Sequence, residues 1–108
     1  MVEKNVLNAI APRPAFGIAE DVLGCKWMLT ILDLLQRGVC RPGTMQRSVD
    51  GLTTKVMNER LRKLVSYRLI KRHAYPEVPP RVEYELTARG HKFLQILEAI
   101  AELDRELE

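Results

Sequence analysis

Tyr75-Pro-Glu-Val-Pro-Pro-Arg-Val-Glu-Tyr84, followed by Glu85-Leu-Thr-Ala-Arg-Gly90, places three prolines and an arginine between two short runs of strand-forming residues. After the prolines, Arg81-Val-Glu-Tyr-Glu-Leu86 alternates, with Val82, Tyr84 and Leu86 on one face. Before them, Leu69-Ile-Lys-Arg-His-Ala-Tyr75 also tends toward a strand. Proline fixes one backbone angle and restricts the residue before it, so the link is expected to be stiff. Such a hairpin tip would hold Arg81 outward, toward a phosphate backbone or a minor groove.

Working upstream, Thr53 caps a predicted helix that runs to about Tyr67. Met57, Leu61, Leu64 and Val65 form its apolar stripe, while Lys55, Asn58, Glu59, Arg62, Lys63 and Ser66 fall on the other side. Asp50-Gly51 signals a turn, and before it Thr44 caps a short helix carrying Met45 and Val49. Two helices joined by a short turn, the second with a polar outer face, make a helix-turn-helix unit. Its second helix is expected to enter a major groove. Further upstream, the apolar residues of Lys26 to Gln36 cover most of the helix circumference, which predicts a central core helix stopped by Gly38. Phe16 to Leu23 reads as another helix.

At the two ends, apolar spacing points to self-association. Val2, Val6 and Ile10 recur every four residues before Ala11-Pro-Arg-Pro14 breaks the pattern. Thr87 caps a last helix with Phe93, Ile96, Leu97, Ile100, Leu103 and Leu107 at three-four spacing, a seam for a partner helix. The expected class is therefore mainly α (α+β). It is a winged helix-turn-helix domain with a two-stranded wing and N- and C-terminal dimerisation helices. One domain covers residues 1–108: an arm at 1–15, the helix-turn-helix at 44–67, the wing at 69–86 and the dimerisation helix at 88–107.

The charge pattern agrees with that layout. Residues 1–40 are balanced, whereas residues 41–92 hold twelve basic against five acidic side chains, a net +7, and residues 93–108 carry a net −4. Positive charge confined to the helix-turn-helix and wing is the footprint of a polyanion partner. No apolar run approaches the roughly 20 residues needed to span a bilayer, and residues 1–15 lack the apolar core of a secretory leader, so a cytoplasmic location is expected. Two cysteines are too few for a disulfide framework, and neither they nor the two isolated histidines have metal-site spacing. No cofactor is expected. No nucleophile–histidine arrangement, carboxylate pair or phosphate loop supports an enzyme.

The chain resembles the HxlR-type transcriptional regulators, a branch near the MarR-like repressors, over roughly residues 16 to 100. The family's Gly-Gly-Lys-Trp is matched by Gly24-Cys25-Lys26-Trp27, and its recognition-helix opening and Arg-Leu pair by Thr53-Thr54-Lys55 and Arg60-Leu61. Leu69-Ile70, the wing from Pro76 to Tyr84, and Thr87-Ala-Arg-Gly90 follow the family pattern without a gap. Three positions depart from it: Cys25 replaces a glycine, Pro42-Gly43-Thr44-Met45 replaces Phe-Ser-Glu-Leu, and Pro14 stands where redox-sensing members carry a cysteine. The resemblance implies a DNA-binding homodimer without the usual thiol switch.

The residues expected at duplex DNA follow from their chemistry. Lys55, Arg62 and Lys63 supply charge for phosphates. Asn58 can read adenine and Glu59 can accept from cytosine. Thr53 and Thr54, at a helix start with free backbone N–H groups, can hold a phosphate. Lys26, at another helix start, is a candidate backbone contact, with Arg81 on the wing; Arg60, nearer the core flank, is expected either to reach a phosphate or to pair in the neighbourhood of Glu59. Trp27 is expected in the core. Cys25 is either a redox-sensing thiol, favoured by a helix N-terminus and Lys26, or a small buried hydrophobe. Cys40 is expected to be the more exposed of the two and the better oxidation candidate. The leading function is a sequence-specific regulator binding a pseudo-palindromic operator as a homodimer, its small-molecule effector unknown. A winged-helix protein-interaction module is the alternative.

Overall fold

The computed structural model describes residues 14–107. Helices α1 (Pro14–Gly24), α2 (Met28–Gln36), α3 (Pro42–Ser48) and α4 (Thr54–Ser66) lead into strands β1 (Ile70–Tyr75) and β2 (Arg81–Leu86), and α5 (Ala88–Glu106) follows. The expected class holds: mainly α, with a two-stranded antiparallel wing. Val2, Val6 and Ile10, expected at a dimer interface, lie outside the described residues.

The apolar periodicities become one core. Val22, Met28, Ile31, Leu32, Met45, Leu61, Leu64, Leu69 and Ile70 are fully buried, which draws α1, α2, α3, α4 and the root of the wing onto a common centre. Trp27 is half-buried and packs against that core from its edge.

Two helix starts differ from expectation. The second helix begins at Met28, not Lys26, because Trp27 adopts the left-handed conformation at φ 79° and the Gly24–Trp27 segment turns sharply. The third begins at Pro42, with Arg41 as its cap, so Thr44 lies inside it. A proline in the first helical position forfeits only an N–H that would have no intrahelical partner. Thr53 does cap α4, its Oγ1 accepting from Val56 N–H at 3.2 Å.

Left-handed residues terminate α2 and α4 in the same way. After α2, Gly38 at φ +90° donates to Leu35 O and Val39 donates to Leu34 O. After α4, Arg68 at φ 60° donates to Val65 O and Leu69 donates to Leu64 O. Satisfying orphan carbonyls this way turns the chain abruptly into the next element.

β1 and β2 pair from Ile70↔Leu86 to Tyr75↔Arg81, and the Val78–Pro79 peptide in the tip is cis. Tyr84 N–H also donates outward to Cys40 O at 2.8 Å, which fastens β2 to the segment entering α3. At the base of the wing, Thr87 N–H donates to Leu69 O at 3.0 Å, and its Oγ1 donates to Arg68 O at 2.6 Å. The same oxygen accepts from Gly90 N–H, starting α5 against the end of α4. Beyond its first turns α5 leaves the core: Phe93 and Leu97 are half-buried, whereas Ile96, Ile100, Leu103 and Leu107 are exposed. No helix among the described residues is long and apolar enough to cross a membrane.

Candidate nucleic-acid interface

Three stripes divide α4. Met57, Leu61 and Leu64 face the core; Lys55, Asn58 and Arg62 face outward; Arg60 and Lys63, with Tyr67 just past the helix, face the corner between α1 and α2. The three-four spacing within each set keeps its members on one side of the helix. Lys55, Asn58 and Arg62 are exposed and enter no side-chain hydrogen bond or ion pair among the described residues. Asn58 and Arg62 line an open depression of about 320 Å³ with Val65, Arg72 and Tyr84, between α4 and the wing. Glu59 is exposed beside them. At the helix start, Thr53 spends its hydroxyl on the cap, and Thr54 Oγ1 donates to Gln46 Oε1 at 3.1 Å, bridging to α3.

The other expected contacts are engaged within the chain, although Lys26 and Lys63 stay exposed. Arg60 Nε donates to Lys26 O at 2.9 Å, and its guanidinium lies 3.9 Å from Glu59. Lys26 sits in the turn ahead of α2 rather than at the helix start, with its ammonium 5.1 Å from the Trp27 ring centroid. Lys63 Nζ pairs with Asp21 Oδ1 at 3.1 Å. Arg81 departs most from expectation. Its guanidinium stacks 4.0 Å from the centroid of Tyr75 and pairs with Glu77 at 3.0 Å and Glu83 at 3.4 Å. Glu83 also binds Arg41 at 3.0 Å, and the buried Nε of Arg81 has no hydrogen-bond partner among the described residues. The stiff tip thus folds Arg81 against its own hairpin instead of extending it.

Asp21 collects three donors: Cys25 Sγ at 2.9 Å, Lys63 Nζ, and the Tyr67 hydroxyl. These bonds, led by that of Cys25, hold its carboxyl at a pKa of about 2. In return the Asp21 carboxylate pushes the pKa values of Cys25, Tyr67 and Lys63 upward. Cys25 follows the C-terminal end of α1 and does not begin a helix. Both reasons for expecting a favoured thiolate therefore give way to a carboxylate that keeps the thiol protonated. Cys40 is half-buried, as is Cys25, so the expected difference in exposure is not seen. His73 lies 3.0 Å from Glu85, and no group of three or more metal-ligating side chains occurs among the described residues.

Two arginines are not marked by the sequence pattern, Arg72 beside the outward stripe and Arg47 near the wing tip. Arg72 shares the depression with Asn58 and Arg62; it lies two positions from buried Ile70, and a charged residue on the core side of a strand must reach out at its edge. Arg47 joins Arg41, Thr44 and Arg81 around a second open depression of about 490 Å³ between α3 and the wing tip. No local pattern marks Arg47, because α3 is too short to show a periodicity.

The family described as HxlR-like helix-turn-helix matches residues 22–107. A helix-turn-helix-type transcriptional regulator of Synechocystis sp. is 42% identical over 83 residues, covering 77% of this chain and 62% of that protein. Another from Methanothermobacter thermautotrophicus is 40% identical over 85 residues, covering 79% of this chain and 65% of that protein. The chain thus spans slightly less than two thirds of the length of these relatives. Among solved structures, a transcriptional regulator of the MarR family from Enterococcus faecalis V583 superposes with a TM-score of 0.78 at 31% identity, covering 89% of this chain and 87% of that one. These relatives and neighbours are regulators rather than enzymes.

Proposed function

The chain belongs to the HxlR-like helix-turn-helix family, and on that premise we propose that it regulates transcription by binding a pseudo-palindromic operator as a homodimer. The observation that carries this is the outward stripe of α4, where Lys55, Asn58 and Arg62 stand exposed beside Arg72 and are unpaired among the described residues. A duplex approaching that stripe meets cations with no partners among the described residues, so binding them displaces solvent and counterions. Lys55 and Arg62 neutralise phosphates, which supplies affinity without sequence information. Asn58 presents the donor–acceptor pair that matches adenine, and Glu59 accepts from a cytosine amino group. The start of α4 offers backbone N–H groups to a phosphate. Arg72 and Arg47 extend the basic surface toward the wing, and Arg81 joins it once its carboxylate partners yield.

Two copies would pair through the exposed stripe of α5 and present their α4 helices to major grooves about one turn apart, near 34 Å. Selection of bound duplexes from a random pool, followed by titration in salt, tests the proposal. Arg62→Ala is expected to weaken all duplexes alike and to reduce the log–log salt slope by about 0.9, one phosphate contact. Asn58→Ala is expected to cost about 1–3 kcal/mol at one base position only. Failure of the wild-type chain to select any duplex at low salt would overturn the proposal.

A further inference from the structure

Asp21 stands on α1, away from the outward stripe, yet it holds α4 through Lys63 and the helix's C-cap through Tyr67, one turn on. It accepts from Lys63 Nζ at 3.1 Å and from the Tyr67 hydroxyl, while Cys25 Sγ on its own helix donates at 2.9 Å. One turn earlier on the same side of α4, Arg60 Nε donates to Lys26 O at 2.9 Å. Residues 60, 63 and 67 therefore tie one flank of α4 to the α1–α2 corner by polar bonds, as residues 57, 61 and 64 seat its base by apolar packing. Packing sets how far the helix lies from the core. The apolar stripe turns the helix roughly toward the core, and the polar bonds on its flank add a second restraint on rotation about its own axis, which bears on where Asn58 points.

The same carboxylate occupies a cation. Lys63 lies with Glu59, Arg60, Arg62 and Ser66 around an open depression of about 470 Å³, within reach of a backbone that follows Arg62. Its charge is already matched by Asp21, so engaging a phosphate would mean exchanging one anion for another. We propose that Asp21 is a positioning residue for α4 that withholds Lys63 from the phosphate backbone and thereby exchanges general affinity for sequence discrimination. This inference rests on the DNA-binding reading above.

The test compares binding of the 108-residue chain to a duplex selected from a random pool and to a scrambled duplex of the same composition, across salt concentrations. Asp21→Asn is expected to steepen the salt slope on the scrambled duplex by about 0.9, because Lys63 is released to one more phosphate. It is also expected to lower the selected-to-scrambled affinity ratio by about fivefold or more, the effect of one mismatched base pair. Adding Lys63→Gln to Asp21→Asn should return the slope to the wild-type value. Tyr67→Phe, which leaves the Asp21–Lys63 pair in place, should lower the ratio without moving the slope. A folded Asp21→Asn chain with wild-type slope overturns the inference, as does Tyr67→Phe with wild-type discrimination. Should Asp21→Asn fail to fold, Tyr67→Phe decides the positioning of α4, and Lys63→Gln alone decides the withholding: a wild-type slope supports it, and a slope lowered by about 0.9 overturns it. Absence of binding by the wild-type chain would instead strike at the DNA-binding reading itself.

Discussion

Gly90 packs its α-carbon against the carbonyl of Leu69, where a β-carbon would stand 2.1 Å from the oxygen. That oxygen is fixed by Thr87 N–H, and Thr87 Oγ1 is fixed in turn by Arg68 O, so nothing nearby can yield. Gly90→Ala is expected to destabilise the fold by about 3 kcal/mol or more, read as a lowered urea midpoint. Asp21 makes stability depend on pH in a defined direction. Its carboxyl is lowered from 3.8 to about 2, so the folded state holds that proton more weakly than the unfolded chain. The stabilisation is fully present above pH 4 and is lost as pH falls toward 2. Cys25 and Tyr67 shift upward from 9.0 and 10.0, so their contributions hold below those values and fade at higher pH. Asp21→Asn should flatten the acid limb of the pH–stability profile, and an unchanged limb would show that other carboxylates govern acid unfolding.

Among the elements, α4 and the wing were the most legible, because their determinants are local. Thr53 and the four-residue spacing of Met57 and Leu61 define α4; alternation and prolines define the hairpin. What escaped the sequence depends on residues far apart along the chain. Asp21 meets Lys63 and Tyr67 only after α1 folds onto α4, and Arg41 meets Glu83 only after β2 reaches the start of α3. No window of neighbouring residues contains those pairs. The start of α2 is illegible for a different reason: Lys26 and Trp27 have ordinary helical propensity, and only the packed turn sets Trp27 at positive φ. The wing tip shows the same limit, since Glu77, four residues before Arg81, reads equally well as a neighbour or as a clamp. Its pairing at 3.0 Å would make it a competitor with phosphate for Arg81 under the proposed DNA-binding role. Glu77→Gln is expected to steepen the salt slope of duplex binding by up to about 0.9, with stability nearly unchanged. A wild-type slope would leave the wing out of the contact.

At the scale of the whole molecule, the described chain is elongated, 60 × 34 × 26 Å, since the second half of α5 lies apart from the core. Ile96, Ile100, Leu103 and Leu107 are 61, 48, 60 and 83% exposed along it, a stripe costly to leave in water. Ile96→Glu with Leu103→Glu is expected to weaken self-association by about a hundredfold or more, given ~1.5–3 kcal/mol per buried aliphatic side chain. Sedimentation should then show a single-copy species, and a double variant that still sediments as a pair would move the interface elsewhere. Trp27 has a consequence of its own. It is the chain's one tryptophan, and its ring carbons come within 3.6 Å of where a methyl on Gly51 would sit, in the loop ahead of α4. The indole therefore straddles the α1–α2 corner and the entry to α4. Its ultraviolet emission offers an unlabelled optical gauge of whether those two parts move against each other when the surface is occupied.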